Sequence, residues 1–308
     1  MSASVSEAPA RRGWTVPSAA LVAAGVTVVL WASAFVGIRA VGADFSPGPL
    51  TLGRLLVGSL VLGGVVIFRG LVLPRGRELV FVALYGLLWF GGYNIALNAA
   101  EQSLDAGTAA MLVQIAPVIV AILAGVFLEE GFPPRLFLGS VVALLGAVSI
   151  AAGSSGDRRI GIAGVLVCLL AGVLYAAGMV AQKPVLAKMP ALQATWLGCT
   201  VGMVACLPFG PSLVTEVGQA STGSILGLTY LGVFPTAVAF TTWAYALSRT
   251  PAGQLGVMTY LVPVVAAGMS WVLLDEVPPA LSFLGGALCL VGVALTRLQC
   301  RRASPTPG

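Results

Sequence analysis

Apolar positions in this chain fall in long unbroken runs, and the polar residues collect in short gaps between them. Neither the alternation of a half-buried strand nor the narrow stripe of a surface helix is present. A helix crossing a bilayer core of about 30 Å needs roughly 20 apolar residues. Ten runs reach or approach that length: Val16–Ile38, Leu50–Phe68, Leu79–Asn98, Ala106–Leu128, Leu136–Ala152, Ile160–Gln182, Leu192–Leu207, Ile225–Leu247, Gly253–Leu274 and Leu281–Thr296. The gaps hold turn formers, most clearly Ser46-Pro47-Gly48-Pro49 and Gly153-Ser154-Ser155-Gly156-Asp157. The pattern predicts an all-α integral membrane protein of ten transmembrane helices, with no segment long enough for a soluble domain. The first run imitates a signal peptide, since Arg11 and Arg12 precede it and Ala32-Ser33-Ala34 resembles a cleavage site. It continues to Ile38, however, beyond an h-region of about 7–15 residues, and is read as helix 1.

Composition sharpens this reading. Of 308 residues only 9% are charged and 58% are apolar, against about 25% charged in an average soluble domain. The chain has no histidine, which excludes His-based catalysis, His-ligated metal and histidine pH switches. A net charge of +5, scattered along the chain, is no footprint for nucleic acid. The five cysteines show no CxxC spacing and read as small apolar fillers. No metal site and no cofactor are expected.

The cations orient the chain. With the N-terminus inside, Arg11, Arg12, Arg69, Arg75, Arg77, Arg135, Lys183, Lys188, Arg249, Arg297, Arg301 and Arg302 lie on the inner side, against Arg39, Arg158 and Arg159 outside. Twelve against three follows the positive-inside rule and places both termini in the cytoplasm. The richness in Ala, Val, Gly, Leu and Arg accords with a bacterial source, hence a bacterial cytoplasmic membrane.

The sequence also repeats. An offset of 146 residues aligns Gly107–Val148 with Gly253–Ala294 without a gap, and thirteen of the 42 positions are identical. They include Pro117/Pro263, Glu130/Glu276, Pro133/Pro279 and Gly146/Gly292. An offset of 144 matches Trp31-Ala32 with Tyr175-Ala176 and Arg39 with Lys183. The expected organisation is a tail over 1–15, a five-helix repeat over 16–152, a linker over 153–159, a second repeat over 160–298 and a tail over 299–308. Five is odd, so the second half enters the membrane in the opposite sense. Inverted repeats characterise secondary transporters that rock about a midplane site.

Several motifs carry a family resemblance: Trp31-Ala32-Ser33-Ala34-Phe35 in helix 1, Arg54 in helix 2, and a proline-centred run ending in an acidic pair. That run occurs twice, as Pro117…Leu128-Glu129-Glu130 and as Pro263…Leu274-Asp275-Glu276. Over residues 16 to 298 the chain resembles the EamA-type transporters of the drug/metabolite transporter superfamily. The resemblance implies a ten-helix fold and an inner-membrane exporter of amino acids or other small metabolites. The motifs name no substrate.

Polar residues inside the bilayer are costly and tend to face a cavity or another helix. Helices 2, 5, 7 and 10 are poor in them and are expected to form an outer shell, while helices 1, 3, 4, 6, 8 and 9 line the path. The candidate substrate-binding residues are Trp31, Asn94, Asn98, Gln114, Tyr175, Trp243, Thr259 and Tyr260. Pro117, Pro235 and Pro263 are candidate hinges that free the carbonyls of Val113, Leu231 and Thr259; kinks serving only packing are the competing reading. Gln114 and Tyr260 are repeat-equivalent and offer an amide and a phenol from opposite sides of the pseudo-twofold axis. Asn94 and Asn98 share one helix face, either to bind an ammonium and a carboxylate or to bond neighbouring helices. Arg54 is read as snorkelling to the interface or pairing with Asp44 or Glu101. Arg54, Glu130 and Glu276 are placed as gate or structural charges.

No Asp or Glu falls at the middle of a span, so a carboxylate proton relay is not expected. The leading reading is alternating-access export of an amino acid or related zwitterion. Import or facilitation of another small solute, and a scaffold without transport, remain alternatives. GxSxG, HExxH and DxxD-type motifs are missing, and an enzyme is not expected. The partners are a small-molecule substrate and the lipid bilayer, with homodimerisation open.

Overall fold

The computed structural model describes residues 18–70, 74–116, 119, 138–139, 141–142, 145–146, 149, 158–247, 249, 258–259, 261–276 and 279–297. Among them the chain is helical, without a strand. Helix α1 (Ser18–Val41) and α2 (Pro47–Arg69) are followed by α3 (Arg77–Tyr85), which runs through a π-helical stretch, Gly86–Tyr93, into α4 (Asn94–Ala100). After α5 (Ala106–Val113) come α6 (Arg158–Leu186), α7 (Ala191–Ala205), a single 3₁₀ turn, and α8 (Gly210–Gln219). Then α9 (Thr222–Leu231) passes through a second π-helical stretch, Gly232–Val238, into α10 (Ala239–Leu247). Helices α11 (Leu261–Leu274) and α12 (Ala280–Arg297) complete the described chain.

Five of these units are long and apolar enough to cross a membrane: Ser18–Val41, Pro47–Arg69, Arg77–Ala100, Ile162–Leu186 and Thr222–Ala246. The α7–α8 pair, bent by 52°, makes a sixth if it is one span, and Leu261–Leu274 is a shorter apolar helix. Leu60, Ile67, Phe68, Val264 and Trp271 stand exposed on the outside. Such a belt suits lipid, not water.

Ion pairs fix which ends share a face. Arg39 Nε, near the end of α1, meets Glu276 Oε1 beyond α11 at 2.9 Å, and Arg39 Nη1 donates to the carbonyl of Glu101 beyond α4 at 3.1 Å. At the other face Lys188, after α6, meets Glu78 in the first turn of α3 at 3.1 Å. The α1 and α3–α4 spans therefore run the same way, and α6 runs against them.

Packing follows the sequence offsets closely. The π-helical stretches begin at Gly86 and Gly232, 146 residues apart. At Gly86 an added Cβ would sit 2.7 Å from the carbonyl oxygen of Gly198; at Gly232 it would sit 2.8 Å from that of Arg54. Position 54 is 144 residues before 198. The reverse contacts correspond too, since a Cβ on Gly202 would lie 3.0 Å from Gly86 O and one on Gly58 3.2 Å from Gly232 O. Cys199 Sγ lies 3.5 Å from the carbonyl oxygen of Leu55, its own equivalent, so α2 and α7 cross at the centre of this arrangement. Small residues at these crossings let backbones approach, which is how membrane helices associate without a hydrophobic drive between them.

The stretch after α7, read from sequence as a plain connection, contains α8. Its Glu216 accepts from the Ser46 amide at 3.0 Å and the Ser46 hydroxyl at 2.6 Å. This puts an anion at the N-terminus of α2, where the helix dipole favours it. Beside it, Ser224 and the Ser221 amide donate to Asp44 and hold its carboxyl below the ordinary aspartate value. Asp44 is thus engaged with the start of α9, not with Arg54. Cys168, Cys199 and Cys206 are buried free thiols, in keeping with a filling role.

Candidate functional site

Side chains reach two of the three carbonyls that the prolines were expected to free, those of Leu231 and Thr259. Pro235 cannot bond the Leu231 carbonyl, and the Thr236 hydroxyl takes that carbonyl at 2.9 Å. Pro263 has no N–H to give the Thr259 carbonyl, which accepts instead from the Val262 amide at 3.0 Å and from Gln114 Nε2 of α5 at 2.9 Å. Gln114 thus uses one of its amide N–H groups for a helix-to-helix bond while its side chain lines the cavity described below. Gln114→Leu removes one of the two donors to that carbonyl and should cost about 0.5–1.5 kcal/mol, measured as a lower midpoint of thermal unfolding in detergent.

The widened π turns have the same logic. Asn94 Nδ2 donates to the carbonyls of Trp89 at 3.2 Å and Phe90 at 2.9 Å, groups that a regular helix would engage itself. Asn98 Nδ2 donates across to Thr51 Oγ1 at 2.8 Å and Pro47 O at 3.3 Å. The two asparagines share a helix face, as their spacing predicts, yet serve different places. Asn94 lines a central cavity, and Asn98 lines a second one nearer the Arg39 face.

The central cavity is walled by Trp31, Ala34 and Phe35 of α1, Arg54 of α2, Trp89, Tyr93, Asn94 and Leu97 of the α3–α4 span, Val113 and Gln114, Tyr175 of α6, Phe240 of α10, and Thr259 and Val262. Its free volume is about 60 Å³, room for a few water molecules. Several lining pairs are related by the sequence offsets: Trp31 with Tyr175, Asn94 with Phe240, and Val113 with Thr259. The cavity therefore lies between equivalent elements. Its wall is aromatic and interlocked. Trp89 meets Tyr175 edge-on at 5.0 Å and Phe240 at 5.2 Å, and Trp31 meets Phe240 at 5.4 Å.

Four expectations need correction. Trp243 is 2% exposed and stacks at 5.0 Å behind Trp31, so it backs the wall instead of lining it. Helix 2 is not merely outer shell, because Arg54 projects from it into the cavity. Arg54 does not snorkel: it is 4% exposed and donates Nε and Nη2 to Thr236 Oγ1 at 3.3 and 3.2 Å. Nor does Arg54 pair with Asp44 or Glu101: it makes no carboxylate contact among the described residues. Sequence reasoning missed Arg54 because its nearness to a helix end suggested escape to water; the two-turn approach of α9 and its π stretch closes that route. Pro117, Glu130 and Tyr260 lie outside the described residues.

Two buried donors in this aromatic wall have no acceptor among the described residues, Arg54 Nη1 and Trp31 Nε1. A buried donor left unpaired costs the full desolvation of that group. An acceptor, above all an anion, that reached either would relieve it.

The EamA-like transporter family matches the chain over residues 18–152 and again over 162–298. A relative in Streptantibioticus cattleyicolor, named a probable terminal-alkyne amino-acid exporter, is 38% identical over 295 residues, covering 94% of this chain and 98% of the relative. The uncharacterised transporter YdfC of Bacillus subtilis is 35% identical over 92% of each chain. A probable amino-acid metabolite efflux pump of Salmonella typhimurium is 26% identical over 87% of this chain and 91% of its own. A solved crystal structure superposes with a TM-score of 0.62 over 92% of this chain and 99% of the other, at 21% sequence identity. With an apolar multi-helix bundle, a central cavity between equivalent elements and a match along nearly its whole length, the chain belongs to the EamA-like transporter family and is a multi-pass membrane protein.

Proposed function

We propose that this protein exports small zwitterions, amino acids with an apolar side chain foremost, across the bacterial cytoplasmic membrane by alternating access. The observation that carries the reading is the pair of unsatisfied buried donors, Arg54 Nη1 and Trp31 Nε1, in an aromatic cavity. Arg54 receives the substrate carboxylate, and its planar fork suits that group. Trp31, Trp89, Tyr175 and Phe240 surround the apolar side chain. Two relatives named as exporters of amino-acid compounds support the substrate class.

In this reading ten helices form two inverted five-helix repeats, with both termini cytoplasmic and the Arg39 face outside. The exchanged contacts of Gly86 with Gly198 and Gly232 with Arg54, and the double family match, favour it. Packing that is duplicated and inverted gives two states of similar energy, one open to each side. Arg39 and Glu276 tie α1 to the end of α11 on one face, and breaking that tie opens the cavity there. Purified protein in liposomes should give saturable counterflow of labelled L-leucine; flux that rises without limit with concentration would refute carrier transport.

A further inference from the structure

The second cavity, of about 460 Å³, lies beyond the central one toward the Arg39 face. Its wall includes Arg39, Asn98, Glu101 and Glu276. Four of its oxygens are buried acceptors with no donor among the described residues: both carboxylate oxygens of Glu101, Oε2 of Glu276 and Oδ1 of Asn98. The central cavity presents unmet donors, and this one presents unmet acceptors. Glu276 has Arg39 as its partner, and Asn98 has Thr51. Glu101 has neither an ion-pair nor a hydrogen-bond partner for its carboxylate among the described residues, although it is only 2% exposed.

An ionised carboxylate is not held in that condition without a cation, and such a group neutralises by taking a proton. The charged and titratable groups facing it are Arg39 from α1, Arg54 from α2, Tyr93 from its own span, Cys168 from α6, Asp105 and Glu276. Asp105 is occupied at the N-terminus of α5, where it accepts from the Thr108 amide at 2.8 Å and hydroxyl at 2.6 Å. Arg39 is occupied by Glu276, and Arg54 acts on Glu101 through space. Burial raises the Glu101 carboxyl above the ordinary glutamate value against the pull of Arg54 and Arg39.

The repeat adds an independent argument. The positions equivalent to Arg54, Asn98 and Glu101 are Gly198, Ala244 and Leu247. The duplicated packing does without a polar side chain at each of them, so these polar groups are not demanded by the fold.

We propose that Glu101 binds a proton in competition with the substrate's ammonium group and so couples export to proton entry. The proposal rests on the transport reading above. The acceptor set takes one cation at a time. A zwitterion with its carboxylate on Arg54 turns its ammonium toward Glu101, Asn98 and Glu276; when it leaves, a proton from outside water occupies a Glu101 oxygen and is later released to the cytoplasm. One proton enters for each zwitterion exported, and no bond other than that O–H forms or breaks.

In vesicles made acidic inside, wild-type protein should accumulate labelled L-leucine uphill. One pH unit is worth about 1.4 kcal/mol per proton and sustains up to about tenfold accumulation in one-for-one exchange. Glu101→Gln should lose that accumulation completely. Because it also weakens the ammonium contact, its counterflow, which moves no net proton, should need a higher leucine concentration for half-saturation yet persist at saturating leucine. Counterflow missing in the wild type refutes the transport reading itself. Wild-type counterflow without pH-driven accumulation, accumulation driven by sodium instead, or a Glu101→Gln variant that still accumulates leucine each overturns the proton site. A substrate-free readout adds to this. Because the folded-state carboxyl is raised, the folded protein binds the proton more readily, and its stability should increase as pH falls from neutral toward the ordinary glutamate value. The increase should flatten in Glu101→Gln; an unchanged profile would also count against Glu101.

Discussion

Replacing Arg54 by glutamine should lower leucine flux about 100-fold or more while the protein stays inserted and its thermal unfolding midpoint holds or rises. Removing one partner of a buried charge-assisted contact costs about 2–5 kcal/mol of binding, and each 1.4 kcal/mol is tenfold. The stability half of the prediction separates this residue from a structural one. The guanidinium is buried, Nε and Nη2 share one hydroxyl oxygen on Thr236, and Nη1 finds no partner among the described residues. Desolvation of such a cation is poorly offset in the empty protein, so the resting fold loses little when it is removed. Arg54→Lys keeps the charge and loses the planar fork; its flux should fall between wild type and Arg54→Gln. Flux and unfolding midpoint can be read on the same preparation. A variant that unfolds early and transports poorly would make Arg54 a packing element.

Gly86→Val should abolish accumulation of folded protein in the membrane, and Gly86→Ala should cost about 1–3 kcal/mol by overpacking. The reason is geometric. An added Cβ would meet the Gly198 carbonyl oxygen at 2.7 Å, and backbone on both sides of the contact cannot swing away as a side-chain tip can. Gly202 closes on Gly86 O from the next turn of α7. Pushing α7 off the π stretch would also displace Trp89 and Asn94, which that stretch aims at the cavity. Gly232→Ala, facing Arg54 O at 2.8 Å, should behave alike. Gly64→Ala supplies the control: it has nothing within 4 Å of the added atom and should be neutral or slightly stabilising. The check is the yield of monodisperse protein and its unfolding midpoint for each variant.

Much of this arrangement could be read from the chain because its causes are local. Apolar run length predicted the long spans within a few residues, for instance Leu79–Asn98 against Arg77–Ala100. The prolines predicted which carbonyls would need partners, and Thr259 O and Leu231 O were both found with one. The helices expected to line a path do contribute Trp31, Asn94, Gln114, Tyr175, Phe240 and Thr259 to one cavity. What was misread depends on neighbours distant in sequence. Arg54 and Glu101 sit near helix ends, where a lone helix would let them reach water. The crossing of α9 over α2 buries the first, and the ends of α1, α4 and α11 bury the second. Counting acidic residues only at span centres therefore passed over a buried carboxylate. Gln114 and Asn94 were recognised as polar and inward, but hydrogen-bond partners 145 residues away, or on a widened turn, are not visible in spacing. The helix α8 was missed because a short amphipathic segment between spans looks like any polar connection until Glu216 is seen to meet Ser46.

The central claim is that a buried guanidinium in an aromatic cavity selects a carboxylate-bearing apolar solute. Its most direct test is competition in the leucine counterflow assay, with unlabelled leucine set against isoamylamine, which has the same side chain and ammonium without the carboxylate. The account predicts full competition by leucine and almost none by the amine in wild type, with that preference lost in Arg54→Gln. Equal competition by both compounds in the wild-type protein would contradict it.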